Sequence, residues 1–199
     1  MSDPFGLARL PADVAESVEV CASALARCAG DVDRVLASPG ADALAAIGER
    51  RAGCARAAMD LLEAVRESRR PGPDRSRLAA LARSVDRTSE AVENIAWAWA
   101  RHPVPELADV LRALRDATRA AARAAAAVED EAGRIVWDTR CREREAEARF
   151  LARAGRGALL GRQDDVRLAA AAQDLLVYAS LWLDALAGTR AAVLRFSLE

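Results

Sequence analysis

The sequence contains no lysine, and all 29 of its strongly basic residues are arginine. Schiff-base chemistry and the phosphate-binding lysine of P-loop enzymes are therefore excluded. The single histidine, His102, stands before Pro103 in a predicted turn. The histidine pairs of zinc sites and the Glu-x-x-His motifs of di-iron bundles are thus absent as well. Because the common catalytic constellations are missing, we predict that the protein is not an enzyme.

Cysteine pairs and long apolar runs are also lacking. None of the four cysteines forms a CxxC pair, so we expect small buried residues in a reducing compartment, not zinc ligands or disulfides. They are Cys21, Cys28, Cys54 and Cys141. The N-terminus has no signal-peptide pattern, and the longest apolar run, residues 175–188, is interrupted by Asp184. Since a bilayer span needs about 20 apolar residues, we predict a soluble, cytoplasmic protein.

An excess of one charge sign is missing too. The formal net charge is −1 at pH 7. A protein that binds nucleic acid through phosphate contacts usually carries a basic field. We therefore expect no nucleic-acid partner.

The composition that is present favours helices. Alanine, leucine, arginine and glutamate dominate, while aromatic residues make up only 4%, a mixture typical of helices and not of strands. Proline-bearing turns at residues 38–40, 70–74 and 102–105 divide the chain. We predict an all-α fold of six long antiparallel helices. Their expected ranges are 12–37 with a bend near Gly30, 41–68, 74–101, Pro105 towards Trp137, Thr139 to Gly161, and Asp164 or Asp165 to Phe196.

A weak internal repeat accompanies these helices. Glu49 precedes Asp86 by 37 residues, and Glu143 precedes Ser180 by the same interval. Repetition at a fixed interval indicates duplicated structural units. We predict two three-helix halves, residues 1–103 and 104–199, within one continuous helical domain.

The repeated positions form pairs four residues apart, which share a helix face. Two carboxylates on one face can hold a hard cation together, and a second pair from a facing helix would complete an oxygen-rich site. The alternative is that these acids are solvated shoulders of amphipathic helices, beside arginines such as Arg83, Arg87, Arg142 and Arg149. The pairs are Glu49 with Gly53, Asp86 with Glu90, Glu143 with Glu147, and Ser180 with Asp184.

Three of the four tryptophans pose a choice between core and interface. Trp97 and Trp99 point about 200° apart on a helix, and Trp99 continues the apolar stripe. Trp97 then packs against another helix layer or faces a partner, and Trp182 presents the same choice. Because tryptophan is buried on average, core packing is the favoured prediction for each.

One long stretch resembles a known family. The run RPGPDRSRLAALARSVDRTSEAVENIAWAW is similar to PhoU-like proteins, in particular the branch that accompanies Pit-type phosphate transporters. ALAAIGERRAGCARAAMDLLEAV resembles another helix of the family, and REREAEARFLARAGRGALL and the last helix match more weakly. The resemblance covers about residues 12–195, and it depends on the order and spacing of these pieces.

The resemblance implies a pair of three-helix bundles and metal clusters, of divalent or ferric ions, on acidic motifs. Asp86 with Glu90 and Glu143 with Glu147 fit the family's acidic motif. Glu49 and Asp184 each keep one acid of a pair, because Gly53 and Ser180 replace the other. A site with missing ligands binds a cation weakly.

The function that follows is a non-enzymatic accessory protein that regulates inorganic phosphate transport. It would contact a membrane permease of the Pit type from the cytoplasm, at the inner face of the membrane. A second copy of the chain, in a homodimer, is another expected partner. Two alternatives stay open. One is a carboxylate-bridged metal-binding bundle, and the other is a helical scaffold or dimerisation module that uses the alanine-rich stretch 117–127.

Overall fold

The protein was analysed as a computed structural model that describes residues 10–68, 72–160 and 166–194. The described residues contain helices and no strand, which confirms the all-α prediction. Six helices are long, as predicted, and one is short. They are α1 (Ala12–Gly30), α2 (Val32–Ala37), α3 (Ala41–Glu67), α4 (Gly72–Arg101), α5 (Ala108–Ala126), α6 (Glu131–Leu160) and α7 (Val166–Leu194), with a 3-10 turn at Pro105–Leu107 before α5.

The first break in the chain falls close to the predicted bend. α1 ends at Gly30, and the backbone N–H of Asp31 donates to the carbonyls of Ala29 and Cys28. α2 then continues from Val32. A tightened last turn of this kind satisfies carbonyls that the helix would otherwise leave unpaired.

The predicted boundary between the fourth and fifth helices was wrong. α5 ends at Ala126 instead of running towards Trp137, and α6 begins at Glu131 instead of Thr139. Asp130 Oδ1 accepts the Gly133 N–H at 3.1 Å, and Arg134 Nη1 donates to the Val128 carbonyl at 2.7 Å. Asp130 therefore caps the start of α6, and Arg134 binds a carbonyl just after the end of α5.

The far end of α6 passes through two glycines without a break. A Cβ at Gly155 would lie 2.6 Å from Leu107 Cδ2, so glycine allows α6 to approach the 3-10 turn closely. The predicted cap of the last helix at Asp164 or Asp165, and its predicted end at Phe196, lie outside the described residues.

Core residues come from every helix and form one cluster. α5 packs on α6 and on α1, α4 packs on α7 and on α3, and α1 packs on α3. A buried polar contact also joins the two sides of residue 103, because the Thr88 and Thr189 hydroxyls lie 3.2 Å apart. Between α5 and α7, Trp182 Nε1 donates to Thr118 Oγ1 at 2.9 Å. The antiparallel pairing and the two halves, 1–103 and 104–199, stay predictions.

The predicted burial of three tryptophans and four cysteines is confirmed at all but one position. Trp99 and Trp182 are buried, as predicted, and so are the four free cysteines. Trp97 is 51% exposed, so the prediction that it packs in the core was wrong. It lies on the polar side of α4 because it is two residues away from the stripe that includes Trp99.

Candidate functional site

The predicted ligands on α4 lie beside an arginine. Asp86 Oδ1 is 3.2 Å from Arg51 Nη2, and Glu93 Oε2 is 3.8 Å from Arg51 Nε. Glu90 is exposed. Arg51 projects from α3, so its guanidinium already lies beside the carboxylates of Asp86 and Glu93. A guanidinium there competes with any metal ion for the same charge.

The other predicted ligands lie in separate places. Glu147 on α6 pairs with Arg144 at 2.5 Å, and Glu143 lines a groove between α5 and α6. Glu49 lines a groove between α1 and α3 that also contains Arg27, Arg50 and Arg56. Asp184 lines a groove between α6 and α7 that also contains Arg149, Arg153 and Arg156.

These placements bring no set of ligands together. Within the part of the chain that the structure describes, no three His, Cys, Asp or Glu side chains are close enough to hold one metal ion. The donor set therefore does not fit the multinuclear cluster that the resemblance implies, and metal binding by Asp86, Glu90, Glu143, Glu147, Glu49 and Asp184 stays a prediction. The placement beside arginines agrees with the alternative of ion-paired helix shoulders.

Two buried carboxylates that the sequence reasoning missed share one arginine. Arg190 of α7 donates from Nε to Asp138 Oδ1 at 2.8 Å and from Nη1 to both carboxylate oxygens of Glu145, at 3.2 and 3.0 Å. Both carboxylates are almost fully buried on α6. Burial opposes the charge of Arg190, but the hydrogen bond to Asp138 and the nearby Glu145 outweigh it and raise the pKa of the guanidinium.

This ion cluster, Asp138, Glu145 and Arg190, holds α6 against α7. The core side of α6 has few large apolar groups, so charged hydrogen bonds provide much of this contact. Cys141 lies between the two acids and donates to Glu145 Oε1 at 3.5 Å. Burial, followed by the charge of Glu145, raises the pKa of the Cys141 thiol. The seven-residue spacing of Asp138 and Glu145 around Cys141 was the available sequence signal, since it places all three on one face.

Three other thiols lie together where α1 packs on α3. A hydrogen bond with Cys54, together with burial, raises the pKa of the Cys28 thiol. The same hydrogen bond lowers the pKa of the Cys54 thiol, and it outweighs the opposing effect of burial there. Burial raises the pKa of Cys21 to about 12. All three are buried and free. Their packing is that of small core residues.

An exposed apolar face on α7 is the clearest surface feature. Val177 and Leu181 are 47% and 51% exposed, and the exposed positions around them alternate four and three residues apart. This spacing forms a straight stripe of the kind that pairs with another helix. We call it the α7 outer face, and its residues are Ala170, Asp174, Val177, Leu181, Asp184, Gly188 and Ala191.

The inner face of α7 is different. It contributes Trp182, Thr189 and Arg190 to buried hydrogen bonds. Among the described residues, α7 is the one helix long and apolar enough to cross a membrane by length and composition alone. Only 39% of its most apolar 18-residue stretch is buried. The helix is therefore part of the fold on one side and exposes Val177 and Leu181 on the other.

Comparison with known proteins gives no relative. The chain matches no protein-family model, no curated protein and no solved structure.

Proposed function

We propose that this chain is a non-enzymatic accessory protein that docks on a membrane transporter of inorganic phosphate, of the Pit type, and regulates it from the cytoplasm. The observation that carries docking is the α7 outer face, where Val177 and Leu181 stay exposed in a helix of membrane-like composition. The choice of a phosphate permease depends on the sequence resemblance to PhoU-like proteins.

The chemistry of the α7 outer face fits a helix of a partner. Ala170, Gly188 and Ala191 allow close approach of a second backbone, while Val177 and Leu181 supply apolar contact area. Asp174 and Asp184 bring two acidic groups into the stripe. The complementary surface is an apolar helix that carries arginine or lysine, a combination found where transmembrane helices enter the cytoplasm.

This mechanism needs no metal and no catalytic residue. Regulation would follow from occupancy of one conformation of the transporter, because a ligand shifts an equilibrium by its differential affinity for the two states. The acidic pairs of α4 and α6 have no step in it.

The test is affinity purification of the tagged protein from cross-linked native cells, grown with and without ample phosphate, followed by mass spectrometry of membrane proteins. Leu181→Glu places a charge in the α7 outer face. Met59→Glu is the matched control, since Met59 is 59% exposed on α3, which packs on α1 and α4. We expect the wild type and Met59→Glu to recover a phosphate permease, and Leu181→Glu to recover at least about tenfold less.

Two results would count against the proposal in different ways. Recovery of no phosphate permease by the wild type in either condition, with phosphate uptake unchanged on deletion, would reject the accessory function. Equal recovery by Leu181→Glu and Met59→Glu would keep that function but reject the α7 outer face as its docking surface.

A further inference from the structure

A groove between α5 and α6 collects arginines around Trp137. It encloses about 370 Å³ and includes none of the residues of the α7 outer face. Its lining residues are Asp116, Arg119, Ala120, Arg123, Trp137, Arg140, Glu143 and Arg144.

Trp137 holds two of these arginines in place. The Cζ atom of Arg123 lies 4.4 Å from the ring centroid, and that of Arg140 lies 4.6 Å from it. A guanidinium stacked on an indole ring is attracted by the π system and leaves its N–H edge free. Two exposed, flexible side chains from different helices are thus ordered against one ring, in a groove that both of them line. An anion in this groove would be attracted by both positive charges.

The nearest carboxylates pair with other arginines and not with Arg123 and Arg140. Asp116 is bound by Arg115, which donates to it at 2.9 Å, and Arg144 is bound by Glu147. In the described part of the chain, Arg119, Arg123 and Arg140 make no ion pair or hydrogen bond with another residue. Glu143 is the one remaining carboxylate in the lining.

Three arginines against Glu143 leave an excess of positive charge in the groove. Two of them present fixed guanidinium edges, which match the oxygens of a phosphate through paired N–H···O bonds. A single phosphate group fills only part of about 370 Å³, since one water occupies about 30 Å³ of liquid. The rest of the groove has room for a small organic body.

We propose that the α5–α6 groove is a binding site for the phosphate group of a small phosphomonoester, held by Arg119, Arg123 and Arg140. Trp137 acts as the positioning residue that orders Arg123 and Arg140. Inorganic phosphate carries the same group and binds more weakly, because it leaves the rest of the groove filled with water.

The test is isothermal titration calorimetry of the full chain at low salt with three probes. They are glycerol 3-phosphate, inorganic phosphate and vesicles that contain phosphatidic acid. We expect binding of glycerol 3-phosphate that weakens at least about tenfold in the double variant Arg123→Gln and Arg140→Gln, because two charge-assisted contacts are removed. Trp137→Leu should weaken it as well, although it removes no charge.

The matched control is Arg83→Gln with Arg87→Gln, which removes two exposed arginines of α4. This control should bind as the wild type does, which separates the site from the loss of overall charge. Each variant is checked by its Tm, because the arginines are exposed but Trp137 is partly buried against the core. Binding to phosphatidic acid vesicles alone, lost in the same double variant, would assign the phosphate group to a lipid headgroup. The proposal is overturned if no probe binds at millimolar concentration, or if both double variants bind equally well.

Discussion

The two sides of α6 use arginine in opposite ways. Towards α7, Arg190 is held by the buried carboxylates of Asp138 and Glu145. Towards α5, Arg123 and Arg140 stack on Trp137, one residue away from Asp138. A carboxylate neutralises an arginine and builds it into the fold, whereas an aromatic ring orders an arginine and leaves its charge in place. The first arrangement should stabilise the protein, and the second should bind a ligand.

The largest effect should come from the ion cluster. Arg190→Met removes the guanidinium that Asp138 and Glu145 share, and it leaves Asp138 with Arg142 at 2.8 Å and Glu145 with Arg149 at 4.0 Å. Breaking a buried pair from one side costs about 3–5 kcal/mol, and the remaining partners keep the loss at about 3 kcal/mol. We expect a loss of that size in the free energy of unfolding, measured by urea denaturation. Arg140→Met, on the other side of α6, should cost under about 1 kcal/mol. Similar losses for both variants would remove the distinction between the two sides.

The sequence predicts the helices of this protein better than it predicts the ion cluster. Composition and prolines were enough for an all-α chain with six long helices, because those signals are local. The end of α5 was missed because alanines continue up to it and the cap consists of one aspartate, Asp130. The helical spacing of Asp138 and Glu145 identifies a face, but their partner Arg190 is on another helix. Sequence alone does not specify which face meets which neighbour.

The second largest effect should come from a buried neutral contact between α5 and α7. Thr118 Oγ1 accepts the Trp182 Nε1 hydrogen at 2.9 Å. Thr118→Val keeps the shape and leaves the buried indole N–H without a partner, at a cost of about 1–3 kcal/mol. Thr139→Val is the control, since Thr139 is exposed on α6 and donates only to the Ile135 carbonyl. If Thr118→Val costs as much as Arg190→Met, the loss of a buried partner explains both effects without any special role for charge.

A smaller effect is expected from Trp137. Trp137→Leu removes the stacking of Arg123 and Arg140, each contact contributing about 0.5–1 kcal/mol at an exposed position. The free energy of unfolding should therefore fall by roughly 1 kcal/mol. A fall as large as that of Arg190→Met would show that Trp137 is mainly a structural residue. Urea denaturation of the wild type and of Trp137→Leu measures this difference.

The smallest effect should be at the acidic pair that the resemblance marks for metal. Asp86 faces Arg51 at 3.2 Å in a partly exposed position, so Asp86→Asn should change the free energy of unfolding by under about 0.5 kcal/mol. Because Arg51 already supplies the countercharge, adding Mn²⁺ or Fe³⁺ should leave the Tm of both proteins unchanged. A ligand that binds only the folded state raises the Tm by an amount that grows with the logarithm of its concentration. A metal-dependent rise that disappears in Asp86→Asn and in Glu90→Gln would therefore show that Arg51 moves aside, and would place the cation on α4.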